Sequence, residues 1–339
     1  MKSVLKSALL GAAAIALFGA SQAQAAGGVC LITKNNTNPF FVKMKEGAEA
    51  KATELGIEFQ GFAGKVDGDA QPQIEAIENC VASGAKGILI TASNDSVIPA
   101  LKAARAAGLL VIALDTQIGD KDAADSTFAT DNFQAGILIG QWAKAQLGDA
   151  TKDAKIGMLD INKDNISVDV QRDTGFLKGF GIEVPDLKVL ASESDPRVIG
   201  HESSQANPEG GLKAAENLLA KEPGMNVIYT INEPAAEGAY QAMKAAGKET
   251  QALVVSVDGG CPGVQSVKGG VIGATSMQFP LLMASMGVEA VAAYAKDGTK
   301  PKNSEGLDFF NTGVQLITDK PVDGVPSITS EEGLKICWG

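Results

Sequence analysis

From residue 28 onward, short apolar runs alternate with stretches in which apolar residues recur every three or four positions. The runs at 28–33, 57–62, 87–91 and 110–114 predict strands, and so do those at 155–159, 187–190, 226–230 and 252–257. They are continuous rather than alternating, the pattern of strands covered on both faces in a parallel sheet. Helical spacing lies between them. Phe41, Met44, Ala48, Ala52 and Leu55 line one face after the first strand, and the segments 71–83, 97–107, 208–221 and 234–246 carry further helices. Pro39, Pro208, Pro234, Pro262 and Pro280 suit first helical positions, where a missing N–H costs nothing. Two βα series in one chain predict an α/β protein of two doubly wound, Rossmann-like lobes.

The two series echo each other. GILITASNDSVIPALKAARAAGLLVIALD and NVIYTINEPAAEGAYQAMKAAGKETQALVVSVD both run strand, polar loop with Asn, helix, strand, aspartate. The closing aspartates are Asp115 and Asp258. Ligands of open α/β sheets bind beyond the carboxyl ends of strands, so two facing lobes would bring both aspartates into one cleft. No low-complexity linker divides the halves, which predicts lobes built from separated segments and joined by several short crossings.

Lys2 and Lys6 precede an apolar run from Ala8 to Ala20, and Ala23-Gln24-Ala25 follows. This predicts a signal peptide over residues 1–25 and export, leaving about 314 residues. The net charge of −11 disfavours nucleic acid as a partner. Export permits disulfides among Cys30, Cys80, Cys261 and Cys337. Four cysteines allow three pairings. Their positions along the elements favour Cys30 with Cys80 and Cys261 with Cys337, with buried free thiols the alternative. No cysteine pair has metal-ligand spacing and His201 is the one histidine, expected at the surface, so no metal site and no cofactor are expected.

The segment Thr33-Lys34-Asn35-Asn36-Thr37-Asn38-Pro39-Phe40-Phe41 closes the first strand and opens the first helix. Asn38 suits an N-cap. Phe40 and Phe41 are adjacent and cannot share one core stripe, so one is expected to face the cleft, where an aromatic face can pack against a ligand. Asp131-Asn132 reads as another helix cap.

Here ITKNNTNPFFVKMKEGAEAKATELG resembles the opening of ribose-type periplasmic binding proteins of sugar ABC importers. VIALDTQ, ATDNFQAG, YTINEPAAEGAYQAMKAAG and VVSVDGGCPGVQSVKGGVIGATSMQFP continue the match in order, across essentially the whole exported chain. HESSQANPEGG and EGLDFFNTGVQLITDKP look closest to the fructose-binding branch. The resemblance implies a periplasmic monomer that binds a monosaccharide, with D-fructose ahead of ribose, allose, galactose and inositol, and passes it to a membrane permease. Service as a chemoreceptor ligand is compatible with that role. It implies lobes of residues 26–129 with 279–311 and 130–278 with 312–339, hinged near Thr130, Gln278 and Thr312.

The implied sugar contacts are Asn38, Phe40, Phe41 and Asp115 from the first lobe, Asn232 and Asp258 from the second, and Gln278 at a crossing. Asp169 and Arg172 lie where the family places polar contacts, with a structural salt bridge the other reading of Arg172. Thr116 stands where the ribose proteins carry an arginine, and no aromatic occurs near Gln205-Ala206, so stacking on the sugar is expected from one side. No G-x-G-x-x-G, phosphate loop or G-x-S-x-G occurs, and carboxylates on opposite moving lobes suit clamping better than glycoside hydrolysis, so no catalysis is expected.

Overall fold

A computed structural model describes residues 28–339; the expected signal peptide lies outside the described residues. In the first half, β1 (Val29–Thr33), α1 (Pro39–Leu55), β2 (Phe59–Ala63), α2 (Gln71–Ala82), β3 (Gly87–Ile90), α3 (Ile98–Ala106), β4 (Leu110–Leu114) and β5 (Ser126–Ala129) alternate. The second half repeats the theme. It runs α4 (Asn132–Leu147), β6 (Ile156–Asp160), α5 (Ser167–Phe180), β7 (Val198–Ser203), α6 (Pro208–Lys221), β8 (Val227–Thr230), α7 (Glu233–Ala245), β9 (Leu253–Asp258), α8 (Cys261–Lys268) and β10 (Ala274–Met277). The chain then returns through α9 (Pro280–Asp297), β11 (Phe310–Asn311), β12 (Gln315–Ile317) and α10 (Ser330–Gly333).

These strands form two six-stranded sheets, ordered β11-β5-β4-β3-β1-β2 and β12-β10-β9-β8-β6-β7. All pairings are parallel except β12 with β10. The central strands β1, β3, β4 and β6 are buried at every position, which is why their sequences read as unbroken apolar runs. The chain passes between the sheets three times, after β5, after β10 and between β11 and β12. α9 crosses back to pack on α1 and the first sheet, while α4 packs on α5 and the second.

The strand expected at 187–190 is absent. Those residues form turns, with Leu187 and Val189 exposed, and the edge strand of the second sheet is β7 instead. An edge strand keeps one side open, so VIGHES is half-buried throughout and lacks the continuous apolar run that marks its neighbours. The short strands β5, β10, β11 and β12 also carry too few apolar residues to stand out in the pattern.

α4 and α5 approach backbone to backbone. A Cβ added at Gly136 or Gly140 would lie 2.2 Å from the carbonyl oxygen of Arg172 or Phe176, and one at Gly175 or Gly179 would meet Phe133 O at 2.2 Å or Ile137 O at 2.3 Å. Each helix thus presents two glycines four residues apart to the other. Alanine would ordinarily favour a helix by about 1 kcal/mol over glycine, but here the methyl must push two helices apart, an overpacking cost of about 1–3 kcal/mol. Gly140→Ala is therefore expected to lower the urea unfolding midpoint despite its better helix propensity. An unchanged or raised midpoint would contradict this packing.

The disulfides are Cys30–Cys80 and Cys261–Cys337. The first pins α2 to β1 and the second pins the C-terminal tail to α8. Among the described residues no helix is long and apolar enough to cross a membrane.

Candidate functional site

The carboxyl ends of both sheets face each other across a cavity of about 330 Å³, mouth included. The first sheet contributes Lys34 after β1, Asp67 after β2 and Asp115 after β4, together with Asn38, Phe40 and Phe41 at the start of α1. The second contributes Ile161 after β6, Ile231 and Asn232 after β8, and Asp258 ending β9. Val168 and Arg172 on α5, Ala206 before α6 and Gln278 at a crossing complete the wall. Wider grooves open on either side, and one of them shares Asn38, Asp67, Ala206 and Asp258 with the cavity. The grooves are larger, but the buried polar groups converge on the small central cavity, which is the feature expected of a specific ligand site.

The two aspartates that close the echoed segments occupy equivalent places at strand ends, and both have positive φ, 61° at Asp115 and 145° at Asp258. Positive φ is strained for residues other than glycine, though Asp and Asn tolerate it better than most, and such strain gathers at functional sites. Asp115 accepts from Arg172 at 3.2 Å and from Thr116 Oγ1 at 3.1 Å. Asp258 accepts from Gln278 Nε2 at 3.0 Å and stands 4.0 Å from the Arg172 guanidinium. Arg172 also donates to Asn132 Oδ1 at 2.8 Å and to Ile231 O at 3.0 Å. One buried guanidinium therefore holds both carboxylates and braces the second lobe. Gln278 Oε1 is buried without a hydrogen-bond partner among the described residues.

A family model described as a periplasmic binding protein domain matches residues 29–300. The chain belongs to the periplasmic binding protein family. Among the relatives of this periplasmic binding protein is the ribose import binding protein of Haemophilus influenzae, 33% identical over 282 residues, covering 83% of this chain and 90% of that one. The D-apiose import binding protein of Actinobacillus succinogenes is 29% identical over 282 residues, covering 82% of this chain and 85% of that one. A crystal structure of an ABC transporter solute binding protein from Agrobacterium vitis with bound D-fucose shares the fold. It has a TM-score of 0.76 and 23% identity, and covers 92% of this chain and 100% of that one.

Eight of the nine expected contacts line the cavity of this binding protein: Asn38, Phe40, Phe41, Asp115, Arg172, Asn232, Asp258 and Gln278. Asp169 does not. It is fully buried on α5, where its carboxylate accepts from Ile161 N at 2.8 Å, because the helix turns that side chain towards the end of β6 and away from the cleft. Phe40 and Phe41 both reach the cavity and both join the first-lobe core, their rings edge to face at 5.5 Å, so neither is given over to one role. Asn38 caps α1 and Asn232 caps α7, so these two side chains set helix starts at the cavity wall as well. Arg172 serves both the salt bridge and the cavity. Asp131 caps α4 as expected, while the Asn132 side chain turns inward to Arg172.

Lys34, Asp67, Ile161, Val168, Ala206 and Ile231 were not read from the sequence. Lys34 lies inside the KNNTNPF segment, and Asp67 in the Gly/Asp loop that follows β2; only the fold brings them to 3.7 Å of each other. His201, expected at the surface, is mostly buried instead.

Burial pushes the Asp258 carboxyl up to about 7 from its ordinary 3.8, against the opposing pull of Arg172 and Gln278. Burial and the neighbouring Asp258 push Glu233 up as well, although it accepts from Gly259 N, Gly260 N and Thr275 Oγ1. A ligand hydroxyl donates more strongly to the ionised carboxylate. If Asp258 must be ionised, ligand affinity is expected to weaken about tenfold between pH 8 and pH 6, measured by calorimetry. The fold responds with the opposite sign. A carboxyl with a raised folded-state pKa contributes stability that is full below about 4 and is lost as pH rises through about 7. A flat affinity profile across this range would contradict the assignment.

Proposed function

We propose that this chain captures one monosaccharide, D-fructose first among the candidates, between two closing lobes and presents it to the permease of an ABC importer. The observation that carries the reading is the cavity itself. It joins carboxylates, amides and a guanidinium from both sheets to two aromatic side chains on one side. Carboxylates accept hydroxyl hydrogens, amides both donate and accept, and a guanidinium donates, which is the mixed set a neutral polyol needs once water is excluded. Phe40 and Phe41 supply the apolar surface for a sugar's C–H face.

Relatives named for ribose, D-apiose and D-allose support the sugar class. The likeness of HESSQANPEGG and EGLDFFNTGVQLITDKP to the fructose branch favours that sugar within it. The lobes are residues 26–129 with 279–311 and 130–278 with 312–339, turning about Thr130, Gln278 and Thr312. A sugar that touches both lobes only in the closed form stabilises that form, and the permease reads it. The two strand-end aspartates clamp rather than catalyse. The exported chain works as a periplasmic monomer, and delivery to a chemoreceptor would use the same closed form.

Calorimetric titration of ligand-stripped protein with D-fructose, D-ribose, D-allose, D-galactose and myo-inositol tests the reading. Saturable one-to-one binding with D-fructose tightest supports it. Tighter binding of another sugar overturns the choice of fructose, and no binding of any overturns the class.

A further inference from the structure

Away from the sugar cavity, the second lobe buries a group of charged side chains that the binding reading does not use. His201 on β7 lies between acidic residues from three elements. Its Nδ1 is 2.8 Å from Asp160 Oδ2 at the end of β6 and 3.5 Å from Asp173 Oδ2 on α5. Its Nε2 is 2.9 Å from Glu193 Oε1. The side chains of Asp160, Asp173 and Glu193 are 6%, 0% and 5% exposed, so water does little to screen them.

The donors within reach do not satisfy all of these oxygens. Both oxygens of Asp173, Oδ1 of Asp160 and Oε2 of Glu193 are buried without a hydrogen-bond partner among the described residues. An imidazolium brings one positive charge to a group of three carboxyls. A divalent ion brings two, and it gives the Asp173 carboxyl the partner that no donor supplies.

We propose that Asp160, Asp173 and His201 Nδ1 form a divalent-metal site of the zinc class in the second lobe, with Glu193 orienting the imidazole. The three ligand atoms lie within 4.8 Å of one another. Atoms bound to one zinc at about 2.0–2.1 Å stand roughly 2.9–3.4 Å apart, so small side-chain adjustments bring them onto a common ion. Glu193 accepting from Nε2–H fixes the tautomer that turns the Nδ1 lone pair towards Asp160 and Asp173, the carboxylate–histidine–metal arrangement. Binding displaces any proton on Nδ1 and releases it to solvent. One imidazole, two carboxylates and a solvent molecule would complete four-coordination. The ion would tie β6, β7 and α5 together. β6 leads into Ile161 and α5 carries Arg172, so it would also brace one wall of the sugar cavity. Sequence spacing concealed the site because its ligands are at least 13 residues apart and only the sheet order joins them.

The test uses the exported chain without a histidine tag, stripped with EDTA and then given ZnCl2. Wild type is expected to bind one zinc per chain and to melt about 5 °C higher with zinc than with chelator. His201→Gln is expected to lose both effects. Since His201 is the one histidine in the chain, its imidazole gives a single set of ring resonances. Zinc should shift Nδ1 and leave Nε2 protonated. A stripped wild type that takes up no zinc, melts at the same temperature with zinc or chelator, and keeps both ring nitrogens protonated would overturn the site and leave His201 as an imidazolium ion pair. The readout is independent of the sugar panel, so either reading can fail alone.

Discussion

Replacing Arg172 with alanine is expected to destabilise the protein by about 3–5 kcal/mol and to abolish ligand binding together. The guanidinium is 5% exposed and engages Asp115, Asn132 and Ile231 O while facing Asp258. Its removal leaves Asp115 without its buried cation and Asp258 without the group that favours its ionised form, and the cost of uncompensated buried charge exceeds the worth of any single bond lost. Arg172→Lys restores the charge but not the planar fork, so it should recover part of the stability and little of the affinity. Urea unfolding and calorimetry on the two variants separate these contributions. An Arg172→Ala protein with wild-type stability and affinity would show that Arg172 is not the group that holds the cleft together.

The second large effect concerns the tail. Cys261–Cys337 closes a loop with a sequence separation of 76, and chain entropy alone assigns such a cross-link about 4 kcal/mol. The bond also positions Trp338. The indole Nε1 donates to Gln278 O at 2.8 Å, and its ring packs edge to face on Phe40 at 5.6 Å. Trp338 thus links the tail to a crossing and to an aromatic residue of the cavity. Cys261→Ser with Cys337→Ser should lower stability by about 4 kcal/mol and weaken ligand binding through Phe40 and Gln278. The corresponding change at Cys30 and Cys80 should lower stability without touching the cleft, since that bond joins β1 to α2 behind the sheet. Equal affinity in the two double variants would contradict the role given to Trp338.

Features set by local chemistry could be read from the chain. The buried strands announce themselves as apolar runs, and Asn38 and Asn232 precede Pro39 and Glu233-Pro234 as helix caps do. Asp115 and Asp258 stand out because their segments repeat, and the fold places both at strand ends with positive φ. Features set by the assembly of distant segments could not. Edge strand β7 has no apolar run because one of its sides stays open. Asp169 shares α5 with Arg172, but a step of three residues along a helix turns a side chain by roughly 60° from its neighbour's direction, enough to move it from the cavity to the end of β6. Lys34 with Asp67, and His201 with Asp160 and Asp173, meet only through the order of strands in the sheets. The packing of α4 on α5 was present in the sequence as glycines four apart in each helix, a signal that means close approach only once the partner helix is known.

In the proposed binding mode one sugar is held between the lobes by groups from both sheets. Calorimetric titration of Asp258→Ala with the sugar that wild type binds tests this mode. Asp258 is the buried second-lobe carboxylate facing the first-lobe side chains, and it belongs to neither disulfide nor helix cap. The expected result is a loss of affinity of about a hundredfold or more with folding intact by circular dichroism. Unchanged one-to-one binding in a folded Asp258→Ala protein would contradict the account and place the sugar elsewhere.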